Sequence, residues 1–255
     1  MLNGIGAAVG RSHMFVVHAS VAVAGLIALL AMQPVLAAYE VVTVTNGGTI
    51  DGVVTLSGAA PAGAPIKVTK NQDYCGQTIP DPVYVVDGSG GLANVIVYLK
   101  DITKGKAAPT EPLSLVNTKC MFSPRVQGAM VSEQVKISSE DPVLHNTHPQ
   151  NAETNATLFN VALPFKGFSV TKPLPSMPMM IKVKCDAHEW MHAWIMELDH
   201  PYYATTGADG HFSIKDVPPG RYTLAVWHEA AGENTAPVTV AAGQTAKAKI
   251  TLTAK

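Results

Sequence analysis

The sequence predicts an all-β protein, and three observations support this fold class. Helical periodicity is scarce along the 255 residues. Runs rich in β-branched residues recur instead, among them YEVVTVT, GTIDGVVTLSG, NVIVYLKD, ATLFNVALPF and KAKITLTAK. Turn-forming dipeptides separate these runs, namely Asn46-Gly47, Asp87-Gly88 and Asp209-Gly210. Short strands joined by turns of this kind are typical of β-sandwiches.

The first 37 residues have the order of an export signal. Arg11 precedes an apolar run from Met14 to Met32, and small residues follow up to Ala37. We therefore predict a signal peptide over 1–37, cleaved after Ala37, and a periplasmic or extracellular protein with no stable membrane span after cleavage. The alternative is a retained membrane anchor, because the apolar run is nearly long enough to span a bilayer.

The charge of the chain argues against nucleic acid as a partner. It has 18 Lys and Arg against 19 Asp and Glu, which gives a formal net charge of -1. No stretch concentrates Lys or Arg into a basic stripe, which a nucleic-acid-binding surface needs.

The three cysteines cannot all pair within one chain. Cys75, in QDYCGQ, and Cys120, in NTKCMFSPR, lie in turn-like contexts without a nearby His. Because thiols pair in an exported protein, we predict a disulfide between them. Cys185 is then the thiol left over.

Cys185 has metal-ligating neighbours. In KVKCDAHEWMHAW it is spaced from His188 and Met191 as CxxHxxM. The preceding strand places Ile181, Val183 and Cys185 on one face, so the thiol points where the apolar side chains point. A thiolate and an imidazole with a weak thioether beside them suit copper in an electron-transfer site.

A second imidazole lies forty residues upstream, His145 in DPVLHNTHPQ. The pair of motifs DPVLHNTH and CDAHEWM resembles the cupredoxins, nearest to the amicyanin and pseudoazurin types. The resemblance implies a Greek-key β-sandwich that holds one type 1 copper. It implies His145, Cys185 and His188 as strong ligands and Met191 as the weak axial one. Asn146 is expected to tie the His loop to the Cys loop by side-chain hydrogen bonds.

Three features leave alternatives open. Cupredoxins often have Pro after the ligand His, whereas this chain has Glu189, and either His148 or His192 could replace Met191 as the fourth ligand. The letters HEWMH also spell HExxH, the helical motif of zinc hydrolases, although Ile195 stands where the extended motif requires Gly. A short Met cluster before the site strand fits a copper carrier or storage protein, and it consists of Met177, Met179 and Met180.

The C-terminal piece resembles a second family. From Pro201 it contains YYATTGADGHFSIKDVPPGRYTLAVWHE, and this is similar to the carboxypeptidase regulatory-like, transthyretin-like β-sandwich. The strands that open that family lie far upstream here, as GTIDGVVTLSG and LANVIVYLKD. We therefore predict a split sandwich over 38–104 and 201–255, with a cupredoxin-like domain over 105–200 inserted. The alternative is a simple tandem with a boundary near His200.

Together these observations predict an exported type 1 copper protein that carries single electrons and is not an enzyme. The alternatives are a periplasmic copper carrier or storage protein and a zinc-dependent HExxH hydrolase. We expect a redox protein as partner, such as a c-type cytochrome. Trp190 and Trp194 beside the ligand loop are either a docking patch for that partner or core aromatics.

Overall fold

A computed structural model describes residues 39–255, and within them the chain is almost wholly β. These residues form twenty strands and one short helix. They assemble into two β-sandwiches, each built from two sheets. The predicted fold class, an all-β chain with two sandwiches, is confirmed.

The first sandwich combines strands from both ends of the described chain. Its three-stranded sheet has the order β17-β2-β20, and its four-stranded sheet the order β16-β5-β18-β19. The strands are β2 (Gly48–Ser57), β5 (Ile96–Leu99), β16 (Tyr203–Thr205), β17 (His211–Val217), β18 (Gly220–His228), β19 (Gly232–Val240) and β20 (Thr245–Thr253). The N-terminal strand β2 lies between the C-terminal strands β17 and β20, antiparallel to the first and parallel to the second.

The second sandwich is built from the middle of the chain. One sheet has the order β13-β10-β7-β8 and the other the order β12-β11-β14-β15-β9. The strands are β7 (Leu113–Thr118), β8 (Met121–Ser123), β9 (Val126–Met130), β10 (Gln134–Ser139), β11 (His145–Asn151), β12 (Val161–Leu163), β13 (Ser169–Pro173), β14 (Met179–Lys184) and β15 (His192–Leu198). In the second sheet, β14 lies between β11 and β15 and is antiparallel to both.

The remaining elements are short. They are β1 (Glu40–Val41), β3 (Ile66–Lys67), α1 (Gln72–Cys75), β4 (Thr78–Ile79) and β6 (Lys104–Gly105). β1 pairs with β6, and β3 pairs with β4 on either side of α1. Cys75 at the end of α1 forms a disulfide with Cys120, so the predicted pairing is confirmed.

Each sandwich has its own apolar core. The first core contains residues from β2, β5 and β16–β20 and the fully buried Tyr202. The second core is packed between the inner faces of its two sheets, and it includes Cys185, Trp190 and Met191. Val68 and Ile79, at the two ends of the β3–α1–β4 segment, also belong to this second core.

The two sandwiches contact each other along β15. On that strand Trp194 packs edge-on against Trp227 of β18, with 5.4 Å between the ring centroids. Arg125 forms a largely buried ion pair with Glu229, with Nε and Oε1 2.7 Å apart. Tyr203 lies so close to β9 that a Cβ on Gly128 would come within 2.4 Å of its ring, so only glycine fits there.

Two predictions stay open. The signal peptide over 1–37 lies outside the described residues, and within those residues no helix is both long and apolar enough to cross a membrane. The division into a split domain, 38–104 with 201–255, around an inserted domain, 105–200, stays a prediction.

Candidate metal centre

Three metal-ligating side chains from two segments, the start of β11 and the turn after β14, meet inside the second sandwich. Sγ of Cys185 lies 4.0 Å from Nδ1 of His145 and 3.8 Å from Nδ1 of His188. The two Nδ1 atoms are 3.0 Å apart. All three side chains are buried, and the two imidazoles have no exposed surface. Three of the four predicted ligands are therefore brought together.

Strand alternation explains how these side chains converge. His145 opens β11 and points inward, as does Thr147. Cys185 directly follows β14, in phase with the buried Ile181 and Val183, as the sequence pattern indicates. A tight turn then brings His188 back over the thiol. The backbone N–H of Met191 donates to the carbonyl of His188 at 2.9 Å and closes this turn.

The outer nitrogen of each imidazole is held by an oxygen acceptor. Nε2 of His145 lies 2.9 Å from Oδ2 of Asp141, and Nε2 of His188 lies 2.8 Å from Oδ1 of Asn71. Because both partners are acceptors, Nε2 carries the proton in each neutral ring. The inward Nδ1 atoms are then both unprotonated, so two lone pairs face each other across 3.0 Å. Such a contact is unfavourable unless a cation lies between the rings.

Asp141 is a buried carboxylate that braces the His145 side of the centre. It accepts hydrogen bonds from the Tyr74 hydroxyl at 2.8 Å and from the backbone N–H groups of Lys119 and Cys120 at 2.7 and 2.8 Å. Burial by itself would raise the pKa of Asp141, but the hydrogen bonds from Cys120, Tyr74, Lys119 and His145 outweigh it and lower that pKa. Asp141 is therefore an ionised carboxylate at neutral pH.

Both imidazoles are neutral at neutral pH. Burial, the neighbouring His145 and the charge of Lys70 lower the pKa of His188 to about 4. Burial also lowers the pKa of His145, against the opposing effect of Asp141. Each ring can therefore offer its Nδ1 lone pair to a metal ion without first losing a proton.

Asn146 joins the His145 strand to the Cys185 turn. Its side-chain oxygen accepts from the backbone N–H of Asp186 at 2.7 Å and of Ala187 at 3.2 Å, and its amide donates to the Asp186 carboxylate at 2.8 Å. Its own backbone N–H lies 3.4 Å from Sγ of Cys185 and donates to that sulfur. Burial raises the pKa of the Cys185 thiol, opposed by the backbone N–H groups of Asn146, His188 and Ala187.

The candidates for a fourth ligand lie in different surroundings. Met191 is fully buried in the same core, and its carbonyl accepts from the backbone N–H of Cys185 at 3.2 Å. His148 points to the opposite face of β11, where its two nitrogens contact Asp186 and Thr157. His192 pairs with Lys184 across the strands and lies on the face of β15 that carries Trp194, away from the second core. The axial role of Met191 stays a prediction.

The HExxH letters do not form the helix that a zinc hydrolase uses. His188 lies in the turn after β14, whereas His192 begins β15. In the HExxH motif of zinc hydrolases the two His bind one zinc from a shared helix face. In this protein the two imidazoles face different surroundings.

The Met cluster lies away from the ligand atoms, whereas Trp190 packs against one of the ligand rings. Met179 and Met180 begin β14, at the end of the strand opposite to Cys185, and Met177 is exposed just before them. Trp190 packs on the His188 ring at 4.9 Å between centroids and donates to the carbonyl of Cys120. Trp194 packs between the sandwiches, so both tryptophans have packing roles.

Three residues that the sequence analysis missed complete the centre, namely Asn71, Tyr74 and Asp141. The role of Asp141 could have been predicted from the sequence, because it lies four residues before His145 and a carboxylate commonly accepts a hydrogen bond from the outer nitrogen of a ligand His. No sequence pattern pointed to Asn71 and Tyr74, since they lie more than sixty residues from His145. The disulfide of Cys75 brings them to the site.

Comparisons with known proteins give one sequence match and several structural ones. Residues 197–253 match the sequence model of the carboxypeptidase regulatory-like domain. No curated protein sequence matches the chain. The similar solved structures include a Cu-containing nitrite reductase from Thermus scotoductus SA-01, a reduced mutant of amicyanin, and a purple cupredoxin from Nitrosopumilus maritimus.

The structural matches cover about a third of this chain. The nitrite reductase is 18% identical over 38% of this chain and 24% of its own, with a TM-score of 0.32. The amicyanin mutant is 13% identical over 36% of this chain and 86% of its own, with a TM-score of 0.31. The purple cupredoxin is 18% identical over 34% of this chain and 99% of its own, with a TM-score of 0.29. The chain thus spans about a quarter of the nitrite reductase's length. The match over residues 197–253 agrees with the resemblance to this family that the sequence shows from Pro201 onward.

Proposed function

We propose that this protein binds one copper ion at Cys185, His145 and His188 and acts as a one-electron carrier. The observation that carries the proposal is the buried triangle formed by the Cys185 sulfur and the Nδ1 atoms of the two imidazoles, with sides of 3.0, 3.8 and 4.0 Å. A set of two imidazoles and one thiolate is the equatorial ligand set of blue-copper electron-transfer sites.

The triangle has a size that fits a metal ion. One point in its plane lies about 2.1 Å from all three atoms, within the usual range of bonds from a transition metal to nitrogen and sulfur. The facing Nδ1 lone pairs have no proton to share, so a cation would relieve their repulsion. The residues present therefore fit the copper ion that the sequence resemblance implies. Met191 is the proposed weak axial ligand.

The surrounding residues would hold the ligands in place. Asp141 and Asn71 fix the ring orientations through Nε2, and Asn146 fixes the Cys185 turn and donates an N–H to the sulfur. Copper bound there would supply a one-electron couple. Ligands that move little between two oxidation states favour fast electron transfer, and the burial of all three excludes water from them.

A copper carrier is the second candidate, and the exposed Met177 is the observation that favours it. A carrier must release its ion readily. The proposed ligands are buried and come from two segments that lie 40 residues apart in the sequence, which favours retention of the ion.

We also propose a periplasmic or extracellular location and a redox protein, such as a c-type cytochrome, as the partner. The regulatory-like sandwich would serve as a rigid support, because Glu229 and Trp227 from it pack on Arg125 and Trp194 next to the site strand. We further propose that it is formed by residues 38–104 and 201–255, which the pairing of β2 with β17 and β20 supports.

The test is to titrate the metal-free protein with Cu(II) and record visible absorption and the bound metal. We expect one copper per chain and an intense thiolate-to-copper band, both lost in Cys185→Ser. His211→Ala removes an exposed imidazole of the other sandwich, so this matched control should leave the band unchanged. A colourless complex in the wild type would refute type 1 copper. Fast transfer of the ion to a chelator, without electron exchange, would favour the carrier.

A further inference from the structure

A short segment of chain covers the His188 imidazole. Asn71 and Tyr74 are exposed residues of the β3–α1–β4 segment, yet each donates or accepts a hydrogen bond at the metal centre. Asn71 accepts from His188, and the Tyr74 hydroxyl donates to Asp141. His188 itself has no exposed surface. The segment therefore forms a single layer between the imidazole and the solvent.

This layer has little apolar packing of its own. Val68 and Ile79 anchor its ends in the second core, with 0% and 8% of their surfaces exposed. Every side chain in the stretch 69–78 between them is exposed or only half-buried. Segments with so few buried apolar contacts open locally at low free energy. The disulfide from Cys75 to Cys120 is the covalent tie that holds the stretch down.

We propose that residues 69–78 form a lid over the metal centre and that the Cys75–Cys120 disulfide is its latch. With the disulfide intact, the lid is closed and the centre exchanges metal slowly. When a dithiol reductant cleaves the disulfide, the lid opens and His188 becomes accessible. The effect on metal exchange rests on the proposed function, whereas the opening of the lid does not.

The two sulfurs of the latch differ in access. Cys75 is half-buried in an exposed stretch, whereas Cys120 is fully buried. A thiolate of the dithiol would therefore attack Cys75, and the S–S bond would break with Cys120 as the leaving group. The second thiol of the reductant then displaces Cys75. The reductant becomes a disulfide, and its two protons end on the thiols of Cys75 and Cys120.

The latch also positions both imidazoles. The backbone N–H of Cys120 donates to Asp141, and Asp141 contacts His145. The backbone N–H of Cys75 donates to the backbone carbonyl of Asn71, whose side chain contacts His188. An open lid would take the Asn71 side chain away from His188 and the Tyr74 hydroxyl away from Asp141, the partner of His145. Opening of the lid should therefore lower the metal affinity of the centre as well as expose it to solvent.

The lid is tested without copper by modifying imidazoles with diethyl pyrocarbonate and measuring each His by peptide mass spectrometry. The oxidised protein is compared with protein reduced by a phosphine, and with the double variant Cys75→Ser/Cys120→Ser. We expect His188 to react at least about tenfold faster in both latch-free forms. His211, exposed in the other sandwich, is the internal control and should react equally in all forms.

An unchanged rate at His188 in fully reduced wild-type protein would overturn the lid, and this measurement does not depend on how the double variant folds. Copper release to a chelator, compared between the wild type and the double variant, tests the metal-exchange part. Faster His188 labelling in a protein that binds no copper would refute the proposed function and leave the lid standing. A blue copper complex with unchanged labelling would refute the lid alone.

Discussion

Glu197 should make the stability of this protein fall as the pH rises. The residue lies on β15 with only 1% of its surface exposed, and its cross-strand neighbours are Met179 and Ala129. Neither carboxyl oxygen finds a hydrogen-bond partner within residues 39–255. Burial raises the pKa of Glu197 to about 8 because the charged form would lose its hydration without compensation.

The size and the sign follow from proton linkage. In the unfolded chain Glu197 has an ordinary pKa near 4.5, so between about pH 4.5 and 8 the folded protein holds a proton that the unfolded chain has released. The free energy of unfolding therefore decreases by about 1.4 kcal/mol for each pH unit in this window. Over pH 5 to 8 the loss is about 4 kcal/mol, a large fraction of the stability of a domain.

The assay compares chemical denaturation of metal-free wild type and Glu197→Gln at several pH values. Glutamine has a similar shape and does not titrate, so the variant should gain about 4 kcal/mol relative to the wild type between pH 5 and 8. All other titrating groups are shared and cancel in the difference. Glu153→Gln, at an exposed turn position, is the matched control. A stability difference that stays constant with pH would refute a buried neutral carboxyl.

The other predictions concern the centre and the contact between the sandwiches. Asp141→Asn weakens the hydrogen bond to Nε2 of His145 and should lower copper affinity about 10- to 100-fold, measured by chelator competition, with the blue band retained. Asn146→Ala removes the brace of the Cys185 turn and should lower affinity by a similar factor and broaden the band; equal affinity would argue against bracing. Arg125→Ala leaves Glu229 buried without its partner and should cost about 3–5 kcal/mol by urea denaturation. Replacing both Arg125 and Glu229 by apolar residues should lower the free energy of unfolding by less than Arg125→Ala alone.

The meeting of His145, Cys185 and His188 could be predicted because two simple rules act on it. Alternation along β14 places Cys185 on the inner face, and a spacing of three residues lets a turn return His188 to it. The same rule separates His148 from His145, since positions three apart on a strand face opposite sides. His148 could therefore have been excluded as a ligand from the sequence alone.

The cover over the site could not be predicted in this way. In the sequence no His lies near Cys75 or Cys120, but in the folded protein their disulfide lies close to the metal centre. In the fold the disulfide lies against the partners of both imidazoles, Asn71 and Asp141. Long-range contacts of this kind depend on the packing of a stretch with few apolar residues, which leaves no periodic pattern to read.

If the centre holds copper as proposed, its burial affects electron transfer and ion release differently. An electron can leave through hydrogen-bonded and packed groups while His188 stays covered, and Trp190 and Asn71 already contact that ring. An ion can leave only if the ligands separate and the cover moves. The same closed arrangement therefore favours the first process and opposes the second. A latched lid would let the protein take up its metal ion while the Cys75–Cys120 disulfide is reduced and retain the ion once the disulfide has formed. Metal loading and electron transfer would then occur in different states of this disulfide.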